Sequence, residues 1–246
     1  MRIQLNYTKF LEPEPYLEGD GVKEDIFERM MTPQQKEMIN RVQANTDKRL
    51  ADYNLTRVAS YMVYSTFNKR APLRGSIGDF EYLPKLSTDE VAVWVNNNSK
   101  EIMIAFRGSS TDYDWKVTDI ALATGFLKTT ERYKNNLELA NKAHNSYRGF
   151  SIIFTGQSLG GALAHYIYED FKRRNIKSRL IMFNRGSSAV DPLIKLVGDI
   201  DKNKIHYSFH GDVYSRAFLR DKSTKHYVSE SPDPKETHSI KLFKKK

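Results

Sequence analysis

The spacing of apolar residues along the chain predicts where its first helices lie. Between Asn54 and Phe67 apolar side chains recur every three or four residues, which predicts a helix with one face against a core. An earlier helix is predicted from Thr32 and Pro33 to about Leu50. Threonine caps helix N-termini and proline suits the first helical position, so this pair is typical of a helix start.

The period changes in the middle of the chain. The runs EVAVWV and EIMIAF, joined by NNNSK, predict a β-hairpin. Helical and strand-like segments then alternate: a helix over about Glu131–Tyr147, the strand Phe150–Phe154, a helix over Ser158–Arg174, and the strands RLIMFN and KIHYSF. This alternation predicts an α/β fold whose mostly parallel sheet carries helices on both faces. Ligands are expected at the carboxyl ends of its strands.

Composition limits the class of protein. The 246 residues suffice for one α/β domain, predicted over 1–246, in which residues 1–31 form an extension of unassigned structure. The chain has no cysteine, which excludes disulfides and thiolate metal sites. The N-terminus shows no signal-peptide pattern, and no apolar run approaches the length of a membrane span. We therefore expect a protein that is cytoplasmic or peripheral to intracellular membranes.

The chain is basic, with a formal charge of +9. Such a balance favours anionic partners in general, among them nucleic acids and anionic membrane surfaces. Basic residues cluster at 172–179 and in the tail Lys244–Lys246. Aromatic residues do not alternate with them as in a base-stacking surface, so we expect no nucleic acid partner. Peripheral contact with an anionic membrane or lipid surface stays open.

The motif GQSLG, at residues 156–160, joins the predicted strand to the predicted helix. A nucleophilic serine must stand clear of its own backbone on a sharp turn, and flanking glycines leave room for that turn. The helix start adds free N–H groups and a positive dipole end, which favour the oxyanion of acyl transfer. The motif thus predicts Ser158 as a nucleophile; a non-catalytic turn is the alternative.

A serine nucleophile needs a histidine base and a carboxylate that orients the base. Asp212 closely follows the strand KIHYSF, at the carboxyl end where such an acid is needed. His165 lies two turns into the helix that follows Ser158, too far along to act as its base. The remaining candidates are His226, inside a strand-like run, and His238, after the turn-rich SPDPKET. We favour His238, because catalytic histidines usually lie on loops.

The runs IMIAFRGSSTDYDW and FTGQSLGGALA together resemble the fungal-lipase-like (class 3) lipases. The similarity covers about residues 50–243 and implies an α/β-hydrolase fold. It also implies that the N–H groups of Ser109 and Leu159 form the oxyanion hole. HGDVYSRAF and THSIKLF are similar to the family's acid and terminal-histidine segments, which supports Asp212 and His238.

The sequence departs from this family pattern in places. Gln157 replaces the usual histidine before the nucleophile, a position outside the triad. The spacing from Trp115 to Asp119 is one residue longer than usual, and the acid motif lacks its proline. The stretch between Ser109 and Gly125 is short, so no large mobile lid is expected. These departures bear on the substrate and on interfacial activation more than on the chemistry.

The stretch after the first glycine motif holds further candidates. Arg107 is interpreted as a structural residue that ties the loop carrying Ser109 to a neighbouring carboxylate. Asp112 and Asp114 form too weak a pattern to predict a metal site. Four apolar residues are candidates for an acyl pocket, with ordinary packing as an equal alternative. They are Trp115, Ile120, Leu122 and Phe126.

Together these patterns predict a cofactor-free serine hydrolase that cleaves carboxylic esters of lipids, as an acylglycerol lipase does. Ser158 attacks the ester carbonyl, His238 moves the proton, Asp212 orients His238, and water cleaves the acyl-enzyme. Two alternatives are a phospholipase A-type activity on membrane glycerophospholipids and a catalytically inactive binding or scaffold protein with this fold.

Overall fold

The computed structural model divides the chain into two compact units, residues 1–51 and 52–246. The described residues are 33, 34, 37, 54, 55, 58–60, 62–64, 66, 76–112, 114–186, 201–210 and 224–228, with the backbone alone described at 115, 209, 210 and 224–228. The first unit contributes Pro33, Gln34 and Glu37, which are helical and exposed. The rest of the helix predicted from Thr32 lies outside the described residues, and the boundaries of the predicted single domain stay a prediction.

A single sheet organises the second unit, and its strands lie side by side in chain order. The strands are β1 (Ser76–Ile77), β2 (Phe80–Tyr82), β3 (Val91–Asn96), β4 (Glu101–Phe106), β5 (Ser151–Ser158), β6 (Ser178–Arg185), β7 (Lys204–His210) and β8 (Thr224–Val228). Strands β1 to β4 pair antiparallel. Strands β4 to β8 pair parallel. The predicted hairpin and the mostly parallel sheet are confirmed.

The helices that position the site lie between β4 and β6. They are α1 (Asp119–Thr124), preceded by the π-helix Asp114–Thr118, α2 (Glu131–Ser146) and α3 (Leu159–Arg173). Thr130 caps α2, because its side chain accepts a hydrogen bond from the N–H of Tyr133 at 3.2 Å. Gly125 ends α1 with a left-handed φ of 88°. No helix in the described ranges is long and apolar enough to cross a bilayer.

Apolar side chains cover both faces of the sheet. Successive strand residues point to opposite faces. Val93 accordingly packs with the buried residues of α2 and α3, whereas Trp94 packs with Met62 on the other side. Met62 belongs to the helix predicted over residues 54–67, whose described residues are helical. The sheet is therefore covered by helical residues on both faces, as the sequence predicted.

The carboxyl ends of β5, β6 and β7 meet at one edge of the sheet, and the basic cluster of residues 172–179 lies at the opposite edge. Helix α3 has 15 residues and runs from Ser158 towards that opposite edge, a length of about 22 Å at the usual rise per residue. Asp170 pairs there with Arg173 at 3.0 Å and with Arg174 at 3.4 Å. The cluster is thus a solvated, partly ion-paired helix end remote from Ser158.

Candidate active site

Ser158 stands at the turn between β5 and α3 in a backbone conformation that few residues adopt. It is the last residue of β5 and the N-cap of α3, with φ 56° and ψ −125°. A non-glycine residue with positive φ is uncommon and costs of order 1–3 kcal/mol unless its surroundings hold it there. The side chain is half-buried. The predicted strand–turn–helix context of Ser158 is therefore present.

Glycine is required on both sides of Ser158 for steric reasons. A Cβ atom added to Gly156 would lie 2.3 Å from the carbonyl carbon and oxygen of Gly160. A Cβ atom added to Gly160 would lie 2.1 Å from the backbone oxygen of Phe106, the last residue of β4. The two ends of the turn therefore contact each other, and the turn also contacts the end of β4. Residues 107–111, which follow β4, are called the oxyanion loop.

Strand β6 carries an irregularity beside the turn. Gln157 pairs with Phe183 but Ser158 pairs with Arg185, which leaves Asn184 as an extra residue with φ 41°. This β-bulge bends the end of β6. The N–H of Gly186 then donates a 3.0 Å hydrogen bond to the backbone oxygen of Ser158. The bulge thereby adds a hydrogen bond to the strained turn, and no local sequence pattern predicts it.

The oxyanion loop is held by two buried charged residues. Arg132 donates a 2.7 Å hydrogen bond to the backbone oxygen of Arg107 and also forms an ion pair with Asp114. The carboxylate of Asp114 accepts hydrogen bonds from the N–H groups of Ser110 and Thr111 at 3.0 and 3.1 Å. Burial raises the pKa of Asp114, but these hydrogen bonds and the charge of Arg132 outweigh it and lower the pKa below its usual value.

The sequence predicted that Arg107 ties this loop to a neighbouring carboxylate. In the structure Arg132 has that role, because it binds both the loop and Asp114. In the described part of the chain, Arg107 pairs with no carboxylate. A sequence signal for Arg132 is its position in the first turn of the predicted helix, where a cation opposes the helix dipole. The two acids that follow the loop are paired as well: Asp114 with Arg132, and exposed Asp112 with Lys116 at 3.9 Å.

Ser109 and Leu159 carry the backbone N–H groups that the sequence predicted to hold an oxyanion. The hydroxyl of Ser109 donates a 2.9 Å hydrogen bond to Asp119, and no described residue accepts from the Ser109 N–H. Leu159 is the first residue of α3, so its N–H belongs to those without a partner inside the helix. Leu159 itself is buried. The two predicted donors are thus a loop N–H and an N–H at a helix start, and their role as an oxyanion hole stays a prediction.

The structure tests the other predicted site residues only in part. Asp212 and His238 lie outside the described residues and stay predictions. His226 lies in β8, where its backbone pairs with Ser208, and its side chain is not described. The same holds for the side chain of Trp115. Phe126 follows α1 and is 64% exposed.

Two histidines near the sheet, His165 and His206, are buried. His165 lies in α3 with its ring 5.5 Å from that of Tyr166. Burial, and secondarily the charge of Arg185, hold the pKa of His165 well below its usual value. His206 accepts a 3.1 Å hydrogen bond from the N–H of Arg185 at the other side of β6. That His165 is not the base stays a prediction.

Residues 91–191 match the model of the lipase (class 3) family. A fungal lipase solved with an inhibitor, as a model for interfacial activation in lipases, gives a TM-score of 0.50 at 16% identity, over 77% of this chain and 83% of that one. A Rhizomucor miehei lipase in complex with its propeptide gives 0.49 at 16%, over 76% and 70%. The Lip2 lipase of Yarrowia lipolytica gives 0.46 at 16%, over 74% and 80%. No curated protein matches the chain. The likeness to the inhibitor-bound fungal lipase shows a shared fold, and the predicted α/β-hydrolase fold is thereby confirmed.

Proposed function

Because residues 91–191 match the model of the class 3 lipase family, we propose that the protein is a carboxylic ester hydrolase, a lipase that acts on acylglycerols with Ser158 as its nucleophile. The single observation that carries this proposal is the backbone of Ser158 at the turn between β5 and α3. Such strain clusters at functional sites, and the sheet edge it occupies is the one where ligands bind in α/β folds.

The proposed reaction is acyl transfer through a covalent intermediate. The Ser158 oxygen attacks the ester carbonyl while His238 accepts the serine proton, and His238 then gives that proton to the leaving alkoxide. Asp212 orients His238. The N–H groups of Ser109 and Leu159 bind the oxyanion that forms at the carbonyl oxygen. Water activated by His238 then attacks the acyl-enzyme, which releases the acid and restores Ser158.

The position of Asp212 in the sequence, shortly after β7, supports its proposed role as the acid. Strand β7 ends at His210, at the same sheet edge as Ser158, and Asp212 follows shortly after. The two strands are separated by β6 alone, which spaces them about 10 Å apart. A histidine between a carboxylate and a serine can bridge such a gap. His226 is the alternative base, because β8 lies beside β7.

A lipid surface is the proposed partner of this site. Val117, Ile120 and Phe126 are 42%, 58% and 64% exposed, and they lie in the segment of residues 114–126, which we call the apolar segment. Ser109 and the apolar segment are joined by the hydrogen bond from the Ser109 hydroxyl to Asp119. Contiguous exposed apolar residues mark surfaces that contact lipid or protein. The apolar segment would therefore bring Ser158 towards the esters of a lipid aggregate.

Replacement of the nucleophile tests the proposal directly. Ser158→Ala is expected to lower kcat on a soluble p-nitrophenyl ester by about 10⁴-fold or more, because the covalent route is lost. The matched control is Ser151→Ala, at the opposite end of the same strand, which should leave kcat unchanged. Near wild-type turnover by a folded Ser158→Ala variant would contradict the proposal.

Probe labelling and a substrate panel separate the alternatives. A fluorophosphonate probe should label Ser158 and not the Ser158→Ala variant, whereas a folded wild-type protein without labelling would indicate an inactive binding protein. Faster hydrolysis of triacylglycerol or monoacylglycerol than of phospholipid supports the acylglycerol lipase, and the reverse order supports a phospholipase A-type enzyme. His238→Ala and His226→Ala, compared on the soluble ester, identify the base.

A further inference from the structure

Arg132 lies where helix energetics disfavour it. It is in the first turn of α2, and its side chain is 1% exposed. A cation at a helix N-terminus opposes the helix dipole, and a buried charge requires several polar partners. The N-terminus of α2 already has the Thr130 cap and the acidic residue Glu131. The position of Arg132 is therefore not explained by the stability of α2.

The partners of Arg132 all belong to the oxyanion loop or to the residues that border it. Besides the 2.7 Å hydrogen bond to the Arg107 oxygen, a longer one reaches the Gly108 oxygen at 3.4 Å. Its Nε lies 3.8 Å from a carboxylate oxygen of Glu90. The backbone oxygen of Glu90 in turn accepts a 2.8 Å hydrogen bond from the N–H of Arg107. The guanidinium therefore fixes the start of the loop from one side.

Asp114 fixes the other half of the loop. Its carboxylate accepts from the N–H groups of Ser110 and Thr111, and its own N–H donates to the Thr111 hydroxyl at 3.1 Å. The ion pair with Arg132 joins both halves into one unit. The backbone groups on either side of Ser109 are thus engaged with this pair, whereas the Ser109 N–H has no acceptor among the described residues.

We propose that Arg132 and Asp114 are positioning residues that hold the oxyanion loop so that the Ser109 N–H points at the tetrahedral intermediate. This inference rests on the proposed function. The loop begins at the strand end that touches Gly160, since a Cβ there would meet the Phe106 oxygen at 2.1 Å. The pair therefore sets the position of the Ser109 N–H relative to Ser158 and Leu159.

Arg132→Lys keeps the charge but loses the planar fork that reaches two acceptors at once. We expect kcat on a soluble p-nitrophenyl ester to fall by about 100-fold with KM within about twofold, because the oxyanion forms only in the transition state. The affinity for a boronic acid, which forms a tetrahedral adduct with the serine, should fall by a similar factor. A loss of global stability alone would not lower kcat and the boronic acid affinity of the folded protein by the same factor.

Asp114→Asn keeps an oxygen that can accept from Ser110 and Thr111 and loses the charge that pairs with Arg132. A smaller fall in kcat, about tenfold, is expected, with the boronic acid affinity again in step. The matched control is Tyr168→Phe, which removes a 2.7 Å hydrogen bond to Asp201 at the opposite edge of the sheet. This control should change the stability to urea and leave kcat and the boronic acid affinity as in wild type.

The outcomes separate this inference from the proposed function. Wild-type kcat in folded Arg132→Lys and Asp114→Asn, or a fall in kcat without a matching fall in boronic acid affinity, would overturn it. Should Arg132→Lys fail to fold, Asp114→Asn alone decides. Failure of the proposed function has a different signature, since Ser158→Ala would then retain turnover whatever the two positioning variants do.

Discussion

Among the described non-glycine residues, Ser158 is the positive-φ position that ordinary turn chemistry does not explain. The others are Lys100, in the hairpin turn, Asn175, just after α3, and Asn184, in the bulge. Asparagine tolerates the left-handed region, and helix ends and hairpin turns commonly use it. Serine has no such preference at a strand-to-helix turn. The conformation of Ser158 is therefore imposed by its neighbours, above all by the close approach of Gly156 to Gly160.

This close approach predicts the effect of a single methyl group. Gly160→Ala would bring a Cβ to 2.1 Å from the Phe106 oxygen, so the end of β4 or the start of α3 must move by about 1 Å. Displacement of that size at a reacting centre lowers kcat by about 100-fold, and the overpacking should destabilise the fold by about 1–3 kcal/mol. Kinetics on a soluble ester and urea unfolding measure the two effects.

Gly149→Ala provides the control for this substitution. Gly149 has φ 89° and no atom within 4 Å of an added Cβ, and it precedes the start of β5, far from Ser158. Alanine there should cost about 1–2 kcal/mol in stability through backbone strain alone, without a change in kcat. Equal kcat in Gly160→Ala and Gly149→Ala would show that contact of the turn with β4 does not matter for activity.

At the scale of elements, the apolar segment is fastened to the site at several points. Asp114 accepts hydrogen bonds from the N–H groups of Ser110 and Thr111, and Asp119 accepts one from the Ser109 hydroxyl. Leu122 lies 2.9 Å from the position that a Cβ of Gly186 would occupy. Ile120 and Phe126 nevertheless stay exposed. Packing within the protein does not account for the exposure of these two apolar side chains. Contact with a lipid surface is the better explanation.

This explanation predicts a difference between dissolved and aggregated substrate. Ile120→Gln and Phe126→Gln should each weaken binding to lipid vesicles by about fivefold, which corresponds to about 1 kcal/mol of apolar burial. Hydrolysis of an emulsified ester should fall in parallel, whereas kcat on a soluble ester should not change. Vesicle sedimentation and parallel assays on the two substrates measure this.

The basic cluster at the far edge of the sheet supplies the control. Lys172→Gln and Arg173→Gln remove charge from the last turn of α3, at the end of the roughly 22 Å that this helix spans from Ser158. Neither should change vesicle binding if the apolar segment makes the contact. A loss of binding in these variants, with none in Ile120→Gln or Phe126→Gln, would assign lipid binding to the basic cluster instead.

For the whole molecule, the sequence predicted those parts of the fold that local patterns determine. The β3–β4 hairpin and the β5–α3 unit follow from apolar periodicity and from the glycines around Ser158. Strands β1 and β2 were not predicted, because they are two and three residues long and depend on pairing, β1 with β2 and β2 with β3. Long-range pairing of this kind leaves little trace in a short stretch of sequence.

In the candidate site, too, local motifs could be predicted from the sequence and long-range contacts could not. Ser158 and its glycines form a local motif, whereas Arg132 reaches back 25 residues to Arg107, a contact that periodicity cannot reveal. The alternation of strands and helices indicated the sheet edge where the site lies, but not the bulge at Asn184. Asp212 and the choice between His238 and His226 stay predictions.

Acid stability of the whole molecule should depend on His165. Burial, followed by nearby cations that include Arg185 and Lys204, holds its folded pKa well below 6.5. The unfolded chain then binds a proton at a higher pH than the folded chain does. Stability is therefore full above about pH 6.5 and falls below it by up to about 1.4 kcal/mol per pH unit, until the folded pKa is reached.

Urea unfolding of wild type and His165→Gln at about pH 7.5, 6.5 and 5.5 measures this dependence. The variant loses some packing at every pH, but its loss of stability between pH 6.5 and 5.5 should be smaller than that of wild type, because glutamine does not titrate. His144→Gln is the matched control: the pKa of His144 is also lowered by burial, yet its side chain is less buried, so the slope should change less. An unchanged slope in His165→Gln would mean that His165 is not the group that resists protonation.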